Sequence, residues 1–389
     1  MSTPALTIDK TNLRPTWAEV SLANLRHNFR LLQDYVHPAA TVCAVVKAHA
    51  YGHGSIECAR ALEQEGAKWF GVTSTDEGVA LREAGIRGRI LLMTGFWRGD
   101  EEAVLEHDLT PAVWHWEHVD RLEYAAAEMQ RKLPVHLKVD TGMARLGVDS
   151  DELPLLVEVL KKAEHLAVEG VCSHFASSEV LDSPTVEAQM KGFDAAVTAV
   201  IQGGLSPAYF HIANSAAVLA RRNTWMNFVR PGLALYGYYL PFTNLDGSRS
   251  EDSYDMPVKP VLSWKTRIFA LRDVEAGQAI GYGGAYVASG AARIAALPVG
   301  YADGLSRKLS SRGRVLVRGE YAPIVGNVSM DITLVDVTAV PAVDLGDEVV
   351  ILGMSGEHSI TAAEHALLAK TIPYEILCGI SKRVPRRYV

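Results

Sequence analysis

Between residues 41 and 236 the chain repeats one unit, a short β-branched run followed by an amphipathic stretch with helical spacing. The runs are TVCAVVK, WFGVT, RILLMT, LTPAVW, PVHLKVD, LAVEGVCSH, YFHIA and NFVRPGLALY. Between them lie stretches such as DEGVALREAG, EHVDRLEYAAAEMQ and DELPLLVEVLKKAEH, several opened by an Asp, Ser or Thr of the capping kind. Parallel neighbours need a crossover, and the helix supplies it. Eight such units predict an α/β fold, a closed (β/α)8 TIM barrel with its helices outside. A doubly wound open sheet is the competing arrangement, and the barrel is the expectation adopted here.

The pattern stops after LYGYYLPF. Residues 244–255, NLDGSRSEDSYD, are polar and aperiodic, as a linker or exposed loop would be. Beyond them PVLSWKTRIFALRDV, ARIAALPV, GRVLVRG, ITLVDV and DEVVILG alternate with glycine turns, and only TAAEHALLAKT has a helical period. The expected division is therefore a barrel over 1–240 and a mainly β domain over 241–389, with the early TWAEVSL able to join either. A chain of 389 residues, 48% hydrophobic, can fill two cores. Its net charge of −7 argues against a nucleic-acid or anionic-membrane partner. The basic SKRVPRR at 381–387 is expected to be a solvated or subunit-facing strand. Cys43, Cys58, Cys172 and Cys378 show no paired ligand spacing, the N-terminus has no leader pattern, and no run is long enough to span a bilayer. A reduced, cytoplasmic setting is expected.

One barrel strand ends oddly. In AVVKAHAYGHG an apolar run closes on Lys47, and a buried ammonium without a partner is costly. Chemistry in a parallel barrel gathers at the C-terminal strand ends. Lys47, Lys138, Arg145, His174, Asn214, Ser215 and Arg230 all fall at or just beyond such ends. A lysine in a partly apolar site loses basicity and becomes a nucleophile toward an aldehyde, which is how pyridoxal phosphate is anchored. Its phosphate would need neutral donors, and Tyr51, Ser215, Gly232 and Leu233 are at hand. His49 and His53 have a zinc-like spacing, but the glycines around them predict a loop and structural histidines, with no metal.

VVKAHAYGHG, HLKVDTGMARLG, SHFA, HIANSAA, VRPGLALYG, IGYGGAY, PVGYADG, VGNVSMD and TIPYEI with VPRRY together resemble the ordered motifs of bacterial alanine racemases, fold-type III pyridoxal-phosphate enzymes. The resemblance implies a barrel followed by a β domain. It also implies that Lys47 holds pyridoxal 5'-phosphate, with Tyr51, Ser215, Gly232, Leu233 and Tyr374 on the phosphate, Arg230 on the pyridine nitrogen and Arg145 on the phenolic oxygen and the substrate carboxylate. Lys138 matches a lysine often carbamylated in the family, and His174 would bridge Arg230 and Tyr282. Tyr301 and Met330 match substrate-side positions, with Asp331 beside them. The activity implied is interconversion of L- and D-alanine by two bases, Lys47 and Tyr282, supplying D-alanine for peptidoglycan from a head-to-tail homodimer with composite sites.

Three positions depart from the pattern: His49 stands where the family usually has Asn, Ala144 where it has Gly, and Asn327 where it commonly has Arg. The last predicts turnover of serine or other small amino acids as well. The rival readings are a broader small-amino-acid racemase, a single-domain pyridoxal-phosphate carrier and a decarboxylase of basic amino acids. Residues 256–389 weigh against the carrier, and Arg230 with GYGGAY against the decarboxylase.

Overall fold

The structure, a computed structural model, describes residues 14–250 and 256–389. It forms two compact units, one spanning 23–259 and the other joining the described residues up to 22 with 260–389. Strand β1 (Thr16–Val20) pairs antiparallel with β10 (Leu262–Arg267) and parallel with the last strand, so TWAEV packs with the C-terminal part of the chain.

The repeats of the first unit become β2 (Thr41–Val45), β3 (Trp69–Val72), β4 (Arg89–Leu92), β5 (Leu109–Val113), β6 (Leu133–Lys138), β7 (Leu166–Cys172), β8 (Tyr209–His211) and β9 (Phe228–Val229). All pair in parallel in sequence order from β2 to β8, and β9 pairs with β2. Two further bonds link β8 to β9: the Arg230 N–H donates to the Ala213 carbonyl at 3.0 Å, and the Phe210 N–H to Asn227 Oδ1 at 2.8 Å. This is the barrel that the repeat predicts. Its strands are buried almost throughout, which is why they read as continuous apolar runs rather than alternations. Cys43, Trp69, Leu91 and Phe228, from four strands, form one buried cluster, and Arg89 lies over Trp69 while pairing with Glu169 of β7.

The last run, NFVRPGLALY, holds only two strand residues. Pro231 lacks the N–H a ladder needs, Gly232 turns away at φ −116°, ψ −84°, and Leu233–Tyr236 coil into a 3₁₀ turn. Residues 243–250 make a tight turn, with the Asn244 N–H donating to Ser248 O at 2.9 Å and the Leu245 N–H to Asp182 Oδ1 at 2.7 Å. The rest of the expected linker, 251–255, lies outside the described residues.

The second unit continues with β11 (Ala270–Val274), β12 (Ala279–Ile280), β13 (Tyr286–Val287), β14 (Ala292–Leu297), β15 (Arg314–Val317), β16 (Glu320–Pro323), β17 (Thr333–Asp336), β18 (Glu348–Ser355), β19 (His358–Ile360) and β20 (Arg386–Tyr388). One sheet has the order β16-β15-β18-β10-β1-β20, another β11-β14-β17, and β12 with β13 forms a separate hairpin. Two helices follow, Ala362–Ala369 and Pro373–Gly379; the second has proline at its first position, where the missing N–H costs nothing. The basic tail is used within the unit: Arg386 donates to the carbonyls of Ile380, Ser381 and Val384, and Arg387 lies over Trp17. Among the described residues no helix is long and apolar enough to cross a membrane.

Candidate active site

At the C-terminal end of β2 the chain reaches Lys47 and then does something L-residues rarely do. Ala48, His49, Ala50 and Tyr51 all have φ between 52° and 55°, one turn of left-handed helix built without a glycine. Such a conformation costs about 1–2 kcal/mol per residue, so the surroundings must impose it. Glu77 does much of that, accepting from the Ala48 N–H (2.6 Å) with one oxygen and from the Thr73 N–H (2.9 Å) with the other. Gly52 and Gly54, also at positive φ, release the chain into the next helix. His53 is buried, its Nδ1 donating to the carbonyls of Ala50 and Tyr51 and its ring against Tyr236. It is a structural histidine, and among the described residues no cluster is suited to a metal ion.

The left-handed turn carries Tyr51 inward over Gly232. A methyl group at position 232 would sit 2.2 Å from the Tyr51 hydroxyl, so the glycine is what leaves room there. Beside it Ser215 Oγ accepts from the N–H groups of Gly232 (2.8 Å) and Ala234 (3.3 Å), and Leu233 between them is buried. Asn214 caps the Ser215–Ala220 helix, accepting from the Ala217 N–H at 3.1 Å, and is itself held by Ser178. Hydroxyls and backbone N–H groups converge here with no acid among them, a donor set that fits a phosphate.

Arg230, 6% exposed, is the charged centre of the barrel end. It donates to Ser173 O (2.7 Å), to His174 Nδ1 (3.3 Å) and to His211 Nδ1, and the other ring nitrogen of His211 meets His136 Nδ1 at 2.7 Å. Because an arginine can only donate, His211 must accept from it and donate onward to His136, which fixes both tautomers. The Arg230 contact to His174 likewise requires an accepting Nδ1. Burial first, then the Arg230 cation, pushes His174 and His211 far below the usual histidine range, and burial with nearby arginines takes His136 down to about 3. The cation is therefore surrounded by neutral acceptors, and its charge is not cancelled. Burial also lowers the Lys138 amine, whose Nζ donates to Met93 O at 3.2 Å. Arg145 is exposed, on a loop that Asp140 ties down by accepting from the N–H groups of Gly142, Met143 and Arg145.

The remaining candidates belong to the other unit. Tyr282 is 77% exposed on a short turn after β12, flanked by Gly281, Gly283 and Gly284 at positive φ. Asn327 donates from Nδ2 to the Tyr282 carbonyl at 3.1 Å, so it touches the segment that carries the tyrosine. Tyr301, Met330 and Asp331 form one exposed cluster: the N–H groups of Tyr301 and Ala302 donate to Ser329 O and Met330 O, and Arg383 holds Asp331 at 2.6 Å. Beneath it the fully buried Asp303 carboxylate accepts from Arg14 (2.8 Å) and the Gly300 N–H (2.9 Å). Tyr374 lies on the Pro373–Gly379 helix.

Sequence reasoning missed His136, His211, Glu77 and Asp303. A signal existed for two of them, since His136 and His211 interrupt apolar strand runs as Lys47 does. Glu77 looks like any first-turn acid of a helix.

The match to known proteins is full-length. Residues 20–240 match the family model "Alanine racemase, N-terminal domain" and residues 261–388 "Alanine racemase, C-terminal domain". An alanine racemase of Geobacter sulfurreducens is 43% identical over 380 residues, 97% of each chain. The chain belongs to the alanine racemase family. Among solved alanine racemases, that of Streptomyces coelicolor A3(2) superposes with a TM-score of 0.90 at 35% identity, covering 98% of this chain and 100% of that one. The Bartonella henselae alanine racemase, solved with covalently bound pyridoxal phosphate, gives 0.84 at 29% identity over 96% and 99% of the two chains. The C-terminal racemase model begins one residue after the second unit resumes at Pro260.

Proposed function

We propose that this enzyme interconverts L- and D-alanine on pyridoxal 5'-phosphate, with Lys47 and Tyr282 as its two acid–base groups, and that its D-alanine feeds peptidoglycan synthesis. The observation that carries the reading is the barrel-end donor set: Lys47 at the end of β2 leads into the turn that brings the Tyr51 hydroxyl over Gly232, Ser215 bonds the Gly232 N–H, and the buried Arg230 lies two residues before that glycine. The cofactor bound to the Bartonella relative supports the same choice.

Lys47 would hold the cofactor covalently, and Tyr51, Ser215, Gly232, Leu233 and Tyr374 its phosphate. Bound there, pyridoxal phosphate supplies an electron sink that acidifies the substrate Cα–H. Inverting that carbon requires a proton removed from one face and another delivered to the opposite face, so one base does not suffice. Lys47 serves one face and the Tyr282 phenol the other. A tyrosine with an ordinary pKa of about 10 needs help to act as a base near neutrality, and a neutral His174 carrying the influence of Arg230 would provide it. Arg230, permanently charged and donor-only, would face the ring nitrogen and withhold any proton from it. Arg145 would orient the substrate carboxylate, aided by Lys138, whose lowered basicity favours the neutral amine that carbamylation needs. Tyr282 would come from a second copy, giving a head-to-tail homodimer with two composite sites.

The test is direct. Purified enzyme incubated with L-alanine in heavy water is expected to yield D-alanine with deuterium at Cα, and borohydride reduction to label Lys47. An unlabelled Lys47 would end the assignment.

A further inference from the structure

We propose that the chain carries a second small-molecule site, for a phosphate-bearing anion, at the end of the barrel where β4, β5 and β6 begin. The strands are parallel, so this end is the one opposite Lys47, and the proposal is independent of the activity above. A cavity of about 560 Å³ opens there, lined by Arg82, Arg87, Arg89, Arg131, Lys132 and one acid, Asp108. Arg89 pairs with Glu169 and Arg131 with Asp108. Among the described residues Arg82, Arg87 and Lys132 have no carboxylate within 4.0 Å.

Arg82 is held rigidly by four carbonyls, those of Ile86 (2.6 Å), His107 (2.9 Å), Gly88 (3.2 Å) and Asp108 (3.2 Å), which orient its guanidinium without cancelling its charge. Glu63 is the third acid nearby, fixing the loop by accepting from the N–H groups of Arg87 and Gly88. Five cations against Asp108, Glu169 and Glu63 leave an excess of two positive charges in a chain whose net charge is −7. Concave walls focus such a field, and guanidinium groups match phosphate oxygens in geometry as well as charge. Leu109, Leu133 and Pro134 add an apolar wall for the body of an organic phosphate, and the volume suits a sugar phosphate or nucleotide.

Calorimetric titration would use the full chain loaded with one equivalent of pyridoxal phosphate and freed of any excess, so that the Ser215 recess is filled and no free organic phosphate competes, in about 150 mM salt to screen exposed charge. Pyrophosphate is the probe for charge alone and ADP for charge plus an organic body. Saturable binding of one anion per chain is expected, weakened at least about tenfold in R87S/K132S, as removal of two charged contacts implies, and unchanged in the control K161S/K162S. Tighter binding of ADP than of pyrophosphate assigns the apolar wall to recognition; equal binding assigns the site to phosphate itself. No saturable binding of either, or equal weakening in both variants, overturns the proposal. Should R87S/K132S not fold, acetylation of the wild-type Lys132 amine, followed by mass spectrometry, decides: pyrophosphate slows it if the site exists, and an unchanged rate refutes it.

Discussion

Gly232 shows how little tolerance the proposed cofactor site has at the scale of one residue. Its missing side chain is the space over which the Tyr51 hydroxyl lies, and a methyl group there would come within 2.2 Å of that oxygen. Overpacking of this kind costs about 1–3 kcal/mol, enough to displace the tyrosine. We expect Gly232→Ala to fold and to bind pyridoxal phosphate at least about tenfold more weakly, read by fluorescence titration, since about 1.4 kcal/mol is tenfold. Unaltered affinity would mean that Tyr51 takes no part in holding the phosphate. Asn327 is a second such position. Where the family commonly has arginine, this neutral amide binds the carbonyl of Tyr282. A shorter, uncharged side chain there would relax the substrate side, and on that reading turnover of L-serine is expected alongside alanine. Rates at least a hundredfold below that of alanine for every small amino acid tried would show that Asn327 does not set the substrate range.

At the scale of elements, the left-handed turn after β2 is where local and global preferences conflict. Four residues hold φ values that glycine would adopt freely, and none is glycine. Ala48 is exposed, so a substitution there would ordinarily change stability by less than about 0.5 kcal/mol. A β-branched side chain, however, fits positive φ worst of all. Ala48→Val is expected to lose about 1–2 kcal/mol in urea denaturation despite its exposure, and a neutral result would show that the turn relaxes at no cost. This element also marks the limit of what the sequence discloses. The eight runs and their helices were legible because periodicity depends only on which residues are buried, and Lys47 stood out because a charge interrupts such a run. The left-handed turn was not legible, since in AHAY only His49 leans toward it and two alanines and a tyrosine do not; Glu77, far off in sequence, supplies the anchor. NFVRPGLALY looked like one strand because its composition is apolar, whereas Pro231 and Gly232 end the ladder after Val229. The Arg230–His211–His136 chain needed three strands brought together before its members could be seen as one network. TWAEVSL fits any sheet edge, and only the register with β10 and β20 assigns it.

For the whole molecule, the buried histidines couple folding to pH. His136 is held near 3 and His365 near 4, both by burial, while in the unfolded chain each titrates near 6.5. Between those values the unfolded state binds more protons, so stability falls as pH falls, by about 1.4 kcal/mol per unit for each histidine. From pH 6.5 to 5 these two remove about 3 kcal/mol, because the full slope is reached only below the unfolded value, and His174 and His211 act in the same direction. Urea denaturation at the two pH values should show the loss, and His136→Asn should flatten the slope even where it lowers stability overall; an unchanged slope would mean His136 is not neutral in the native state. The larger question at this scale is whether one molecule suffices. Lys47 lies in the unit spanning 23–259 and Tyr282 in the other, 77% exposed. If the two bases of a site come from different copies, Lys47→Ala and Tyr282→Ala chains are each inactive but complementary. After complete exchange in an equal mixture, half of the dimers are hybrids, and each hybrid has one site with both bases and one with neither. About a quarter of wild-type activity should therefore return, rising with time at the rate of subunit exchange. If each chain instead supplies both bases to its own site, every hybrid carries two damaged sites and nothing returns. Exchange verified by mass spectrometry of the hybrid, with no recovered racemisation, would place both bases in one chain.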